Sequence, residues 1–522
     1  MFDLLLRDGL IVDGTGASPT RGDVGILGDR VGQVGDLAGA EAAQTIPCAG
    51  RLVCPGFIDV HSHSDVFLLI EPGAQSKIAQ GITTEVIGNC GASAAPRSGA
   101  ARMPADWQAH LPAVSWRTLA EYRHRLAEAR PAVNVAALVG HNTLRGSVLG
   151  YDPRPARPDE LADMIRQLEQ ALDEGAVGLS TGLAYAPGMF APREEIHALA
   201  AAVARRGGIY TSHMRSEGSR LIEAIEETLE VGRATAVRVQ ISHLKTSGPA
   251  NWHKLDAAIG LIERARAEGI QVVADRYPYT ASSTDLDILL PPWAAAGTRD
   301  EILGRLQDSA LRERIRAELE STHPARADWE RVVIGSTGRP QLRRFTGRSI
   351  AEAAEAEGVA PATMALALMI EDELRTQAFF HGMSEANMWR ILALSWVMIG
   401  SDASLRSPKG PLGADHPHPR AYGTMPRFLR AALDGRSVPI AEAVRKMTSL
   451  PAQQFGLRDR GKICPGAAAD IVVIDPRTVR DTADFAEPHR FPEGVETVIV
   501  NGVPTLQHGR WTGLRAGRWL PR

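Results

Sequence analysis

Short apolar runs broken by Gly and Asp open the chain: FDLLLRDGLIVDG, then DVGILGDRVGQVGDL, then TIPCAGRLVCPG. Runs of this length between such breakers predict strands joined by tight turns. The same grammar returns from about residue 456, in GAAADIVVIDP and VETVIVNGVPTLQHGRW. Two β-rich ends around a long centre predict that 1–54 and 456–522 pair into one small β-sandwich domain. The plainer alternative is two unrelated capping hairpins.

The centre, residues 55–455, alternates apolar runs with amphipathic stretches. The runs are GFIDVHSH, TTEVIGNC, NVAALVGH, AVGLSTG, GIYTSHM, RVQISHLK, QVVADRYPY and WVMIGSDA. Between many of them lie helical patterns such as PDELADMIRQLEQALDEG and SRLIEAIEETLEVG. Strands alternating with helices in this way predict an α/β fold, a (β/α)8 TIM barrel. A doubly wound open sheet is the runner-up, although no GxGxxG turn follows an early strand. Two connections exceed what a barrel needs. Residues 93–118 read as a Pro/Ala-rich loop, and residues 284–395 hold several helices and the strand-like RVVIGS. The second reads as an insertion over the barrel mouth; RVVIGS has the alternative of being a barrel strand, which would shift the count.

Composition adds mainly exclusions. At 522 residues the chain needs more than one ordinary core. Its net charge of −3 comes with no basic stripe, which argues against nucleic acid as a partner. Cys48, Cys54, Cys90 and Cys464 lack CxxC spacing, so a reducing compartment is expected rather than a disulfide framework. The N-terminal run has no basic flank or cleavage pattern and reads as a strand, not a signal peptide. No stretch reaches the roughly 20 apolar residues of a membrane span. These points predict a cytoplasmic protein without a membrane partner.

Chemistry enters with the polar residues at the ends of the runs. His61 and His63 end the first, Cys90 the second and His141 the third. His213 ends the fifth, His243 the sixth and Asp402 the eighth. The C-terminal ends of barrel strands are where such enzymes build their sites. In HSH the two histidines are two residues apart and share one side of a strand. Imidazole, thiolate and carboxylate together suit zinc or a similar divalent ion. A lone His at a strand end is ordinarily structural, but that does not explain metal-ligand types recurring in phase on separate strands.

PGFIDVHSHSD resembles the first-strand signature of the amidohydrolase superfamily. With GITTEVIGNCGAS, YTSHMRSEG, VQISHLK, DRYPYTASST and IGSDAS in this order, the chain resembles the N-acyl-D-amino acid deacylase (D-aminoacylase) branch over most of its length. The resemblance implies a zinc-dependent hydrolase acting on the amide bond of a small molecule. It implies that Cys90, His213 and His243 hold a tight metal. His61 and His63, with Cys90 shared and Asp402 nearby, would form a second, weakly occupied position. Many superfamily members use a modified lysine on the fourth strand; AVGLSTG has none, so Cys90 must serve. A bound divalent ion lowers the pKa of its water to about 7. Asp402 can take that proton and pass it to the leaving nitrogen.

In DHPHPRAYGT, Arg420 corresponds to the family arginine that grips the substrate carboxylate, a two-pronged charge-assisted pair. RYPYTASS supplies Tyr277 and Ser283 for the same end of the substrate. Lys245 lies on the same side of its strand as His243, and His141 is a further pocket candidate. The loop SLRSPKGPLGA departs from the family pattern, and its Arg406 and Lys409 raise the hypothesis of an acidic substrate side chain. Competing readings are a hydrolase of a cyclic amide of hydantoinase or dihydroorotase type, of a dipeptide or of a xenobiotic amide, and a barrel without catalysis acting as a scaffold. The missing fourth-strand lysine speaks against the cyclic branch, and the complete ligand set against the scaffold. The oligomeric state is left open.

Overall fold

The computed structural model describes residues 1–98, 101, 104, 107, 110 and 115–521. Eight parallel strands form one sheet in strict chain order: Phe57–Asp59, Ile82–Ile87, Asn134–Gly140, Gly178–Gly182, Ile209–His213, Arg238–Ile241, Val272–Arg276 and Val397–Ile399. Each coincides with one of the eight apolar runs. Helices cover the outer face and side chains fill the inside, so strands such as Asn134–Gly140 are buried throughout. That double burial is why the runs read as continuous rather than alternating. Inside, Ile58, Val86, Leu138, Ile209, Val273 and Met398 pack together and plug the barrel.

The outer helices follow from their periodicity. Pro158–Asp173 begins with Pro158, where a missing N–H costs nothing, and buries Met164, Leu168 and Leu172. Leu221–Thr235 buries Leu221, Ile225 and Leu229 at helical spacing. Between the eighth and first strands there is no ladder; the seam is closed by one bridge, Ser62 to Ala403.

RVVIGS lies outside the barrel. Its strand Val332–Ile334 joins Gln377–His381 and Ala281–Asp285 in a three-stranded antiparallel sheet. This sheet leaves the chain just after the seventh barrel strand and returns before the eighth. It has a core of its own, including Leu306, Ile315, Trp329, Ile350 and Met369. Residues 99–100, 102–103, 105–106, 108–109 and 111–114 of the Pro/Ala-rich connection lie outside the described residues.

The chain ends build a separate nine-stranded sheet. Its centre pairs Leu52–Pro55 antiparallel with Ile471–Ile474, which are buried along their whole length. Alternation divides them: Ile471 and Val473 pack with Leu6, Val24 and Ile26 in the sheet's own core. Val472 and Ile474 join the core that runs into the barrel domain. A strand sandwiched this way needs apolar residues at every position.

Candidate active site

The strand ends bring the six predicted donors together. His61 Nε2 lies 3.2 Å from Cys90 Sγ and 3.3 Å from Asp402 Oδ1. His63 Nε2 is 3.1 Å from the same Asp402 oxygen. On the other side, His243 Nε2 is 3.6 Å from Cys90 Sγ and 2.9 Å from His213 Nδ1. Cys90 therefore stands between the two groups. Ligand atoms of His61, Cys90, His243 and Asp402 all lie within 4.8 Å of one another, the spacing of a shared ion. A soft thiolate with imidazoles and a carboxylate fits zinc.

The local backbone is built for this convergence. Cys90, His243 and Asp402 have φ of 52°, 37° and 51°, the left-handed region that residues with a Cβ rarely adopt. Gly91 follows Cys90 with φ of 79°, and a Cβ there would come 2.2 Å from Asn142 Oδ1 and 2.6 Å from Gly182 N. The turn after the second strand thus presses against the third and fourth strands' ends and aims the thiol inward.

Carboxylates outside the donor set orient the rings. Asp275 Oδ1 is 3.1 Å from His61 Nδ1 and accepts the His243 backbone N–H at 3.0 Å. Glu217 Oε1 is 2.7 Å from His243 Nδ1 and pairs with Lys245 Nζ. Such partners fix which ring nitrogen faces a metal. Burial opposes charge here, yet neighbouring groups prevail. Burial pushes the Cys90 thiol up, while His61, His213 and His243 hold it well below its usual range. Burial pulls His63 and His243 down, while Asp402 and Cys90, and for His243 also Glu217, raise them to about 9 and about 10. The cluster as a whole draws positive charge, as a cation site should.

The substrate candidates divide. Arg420 opens the helix Arg420–Leu433, is buried, and donates from Nη1 to Asp402 Oδ2 at 2.7 Å and from Nη2 to the Ser283 carbonyl at 3.4 Å. Its guanidinium lies 4.6 Å from the centre of the Tyr277 ring. Tyr277 Oη and Arg420 Nε are buried and find no hydrogen-bond partner among the described residues. Lys245 is buried beside His243. So Arg420 and Lys245 touch donors directly, while Tyr277 and Ser283 adjoin them through Arg420. His141 does not: it is fully buried, with Nε2 2.8 Å from Glu195, which also takes Arg145. Its strand ends by turning into the helix His141–Val148, which carries the ring to Glu195 and withdraws it from the substrate set. Arg406 is also spent internally, 4.5 Å over the Phe67 ring and 3.7 Å from Asp415, and Lys409 is exposed.

Several participants escaped the sequence reading. Asp275 and Glu217 are two; His418 is a third. His418 Nδ1 accepts the Arg420 backbone N–H at 3.0 Å and its Nε2 donates to the Ala281 carbonyl at 3.0 Å. Burial and Arg420 hold its pKa well below the usual value, so the ring is neutral and pins Arg420 to the inserted sheet. Tyr185, edge-on to His213 at 4.8 Å between ring centres, is the fourth. Glu217 had a usable signal, four residues after His213 in SHMRSEG; the others had none at their strand or loop positions.

Residues 44–506 match the amidohydrolase family. An N-acyl-D-glutamate deacylase of Alcaligenes xylosoxydans xylosoxydans is 39% identical, covering 96% of this chain and 93% of its own. The structure of the N-acyl-D-glutamate deacylase from Bordetella bronchiseptica, with zinc and a phosphonate mimic of the tetrahedral intermediate, superposes with a TM-score of 0.85 at 34% identity, covering 100% of both chains. A D-aminoacylase whose binuclear centre shows one-metal activation and second-metal attenuation superposes at 0.84, with 37% identity and 100% of both chains covered.

Proposed function

Given that the chain belongs to the amidohydrolase family, we propose that it hydrolyses the amide bond of N-acyl-D-amino acids, releasing a carboxylate and a D-amino acid. The observation that carries this reading is the convergence of His61, His63, Cys90, His213, His243 and Asp402 beside a buried Arg420–Tyr277 pair. Cys90, His213 and His243 would hold the tighter zinc, and His61 and His63 with Asp402 a second divalent ion. Zinc so held supplies a Lewis acid that polarises the scissile carbonyl and acidifies water.

The chain's own groups do the rest. Burial pushes the Asp402 carboxyl up, but Arg420, His61, His243 and His63 hold it well below the usual range, so it is ionised and able to accept a proton. Its Oδ1, facing the two histidines, takes the proton of the attacking water and returns it to the leaving nitrogen. Oδ2 stays anchored by Arg420. Tyr277 Oη and Arg420 Nε offer unfilled donors to the substrate carboxylate, and Lys245, paired with Glu217, adds charge beside His243.

A chirally resolved panel of N-acyl amino acids and cyclic amides, assayed for amine release with parallel zinc analysis, tests the proposal. The expected result is turnover of N-acyl-D-amino acids, little of their L forms, and loss of activity with chelation. Full activity without metal, or a preference for cyclic amides, overturns it.

A further inference from the structure

Lys77 is fully buried a few ångströms behind the donor cluster, and none of the steps above uses it. Its Nζ lies 2.8 Å from Asp59 Oδ2 and 3.0 Å from Glu85 Oε1, and donates to Ser401 Oγ at 3.0 Å and to the Ala403 carbonyl at 2.8 Å. These acceptors come from three separate pieces. Asp59 is on the first strand, Glu85 on the second, and Ser401 and Ala403 flank Asp402 after the eighth. The same carboxylates grip the donor segments, Asp59 by the backbone and Glu85 by serine hydroxyls. Asp59 Oδ1 accepts the N–H of His61 at 3.2 Å and of Ser401 at 2.8 Å. Glu85 Oε1 accepts from the hydroxyls of Ser62, between the two histidines, at 2.5 Å and of Ser64 at 2.8 Å.

The location matters more than the count of contacts. Seven of the eight strand junctions carry a ladder, one of them with a register irregularity between Phe57 and Ile58; the junction of the eighth and first carries none. There the chain offers one bridge, Ser62 to Ala403, with the Asp402 N–H on the His61 carbonyl at 2.8 Å and the His63 N–H on the Ala403 carbonyl at 3.4 Å. His61 and His63 stand on one side of this seam and Asp402 on the other. Cys90, His213 and His243 follow strands that are laddered on both sides. One ammonium facing two buried carboxylates is a poor way to gain stability, since well-packed apolar residues usually do as well. It is a good way to fix three segments at one distance.

We infer that Lys77 is a positioning residue whose ammonium clasps the open seam of the barrel and sets the spacing of His61 and His63 against Asp402. It rests on the ligand and base roles proposed above for those residues. The clasp governs the second metal position and the placement of the base, and leaves the tight position to Cys90, His213 and His243.

The test is calorimetric and visible-absorption titration of the metal-free full chain with Co(II), alongside steady-state kinetics on an N-acyl-D-amino acid. For Lys77→Met the first equivalent should bind within about threefold of wild type, the second about 10–100-fold more weakly, and kcat should fall about 10–100-fold with KM within about threefold. Ser401→Ala, which removes one arm of the clasp, should shift the same quantities less. If Lys77→Met does not fold, Ser401→Ala and Glu85→Gln carry the test. Equal weakening of both equivalents, unchanged binding of both, or a wild type that takes up only one equivalent overturns the inference. The metal titration needs no substrate, so failure of the deacylase reading shows separately, as absent turnover by a wild type that still binds two ions.

Discussion

Cys90, His243 and Asp402 hold left-handed backbone conformations at a cost of about 1–3 kcal/mol each, which persists only where surrounding contacts over-determine it. Their side chains are therefore fixed before any ion arrives, and single atoms can be tested. Asp402→Asn keeps shape and loses basicity; the tight zinc on Cys90, His213 and His243 should stay at the wild-type level while kcat falls by about 10²–10⁴. Near-normal turnover with metal bound would remove Asp402 from the base role. Glu217→Gln leaves Lys245 without its carboxylate and weakens the partner of His243 Nδ1. Competition with a chelator should show the tight metal held about 10–100-fold less firmly. The donors were legible because each ends a recognisable strand. Asp275 was not, because a carboxylate becomes an imidazole partner only through the closure of a sheet; Glu217 showed only as a carboxylate four residues after His213. His141 misled for a related reason: a histidine ending a strand points wherever the next turn sends it, here to Glu195.

Among elements, the barrel strands showed plainly because burial on both faces demands unbroken apolar residues. The inserted sheet was ambiguous for the same reason. Val332–Ile334 is as β-branched as any barrel strand, and only its antiparallel partner, Gln377–His381, distinguishes it. What a sequence cannot display is the pressure between elements, as at the turn carrying Cys90. Gly91→Ala should lower zinc retention after dialysis, because the new carbon meets Asn142 and the Gly182 N–H. Gly358→Ala is the control: φ there is 67°, but nothing lies within 4 Å of the added carbon. Equal zinc retention in both variants would mean that the close approach at Gly91 is unimportant.

The molecule as a whole carries charges that make its stability depend on pH in two windows. Asp475 is held at about 2, chiefly by its hydrogen bond with Arg477, and also faces Arg51 of the end sheet. A depressed carboxylate stabilises the fold above its unfolded value near 3.8 and loses that contribution as pH falls toward 2. Asp475→Asn should lower Tm at pH 7, and the difference from wild type should shrink toward pH 2. Lys446 behaves oppositely: burial pulls it from 10.5 to about 7, although its ammonium reaches the Leu394 carbonyl. Between those values the unfolded chain holds the extra proton, so stability rises with pH. Lys446→Met should raise Tm at pH 7 and flatten that rise; calorimetry at pH 7, 8.5 and 10 decides it.

The pairing of Leu52–Pro55 with Ile471–Ile474 also bears on how the protein is made. The first half of that contact leaves the ribosome more than 400 residues before the second, a wait of about 20–80 s at ordinary rates of synthesis. Throughout it, Leu52, Val53 and Cys54, all fully covered in the finished fold, have no strand beside them on one edge. A nascent chain in that state is a natural client for a holding chaperone, and an arrested or prematurely released chain would present a sticky strand to its neighbours.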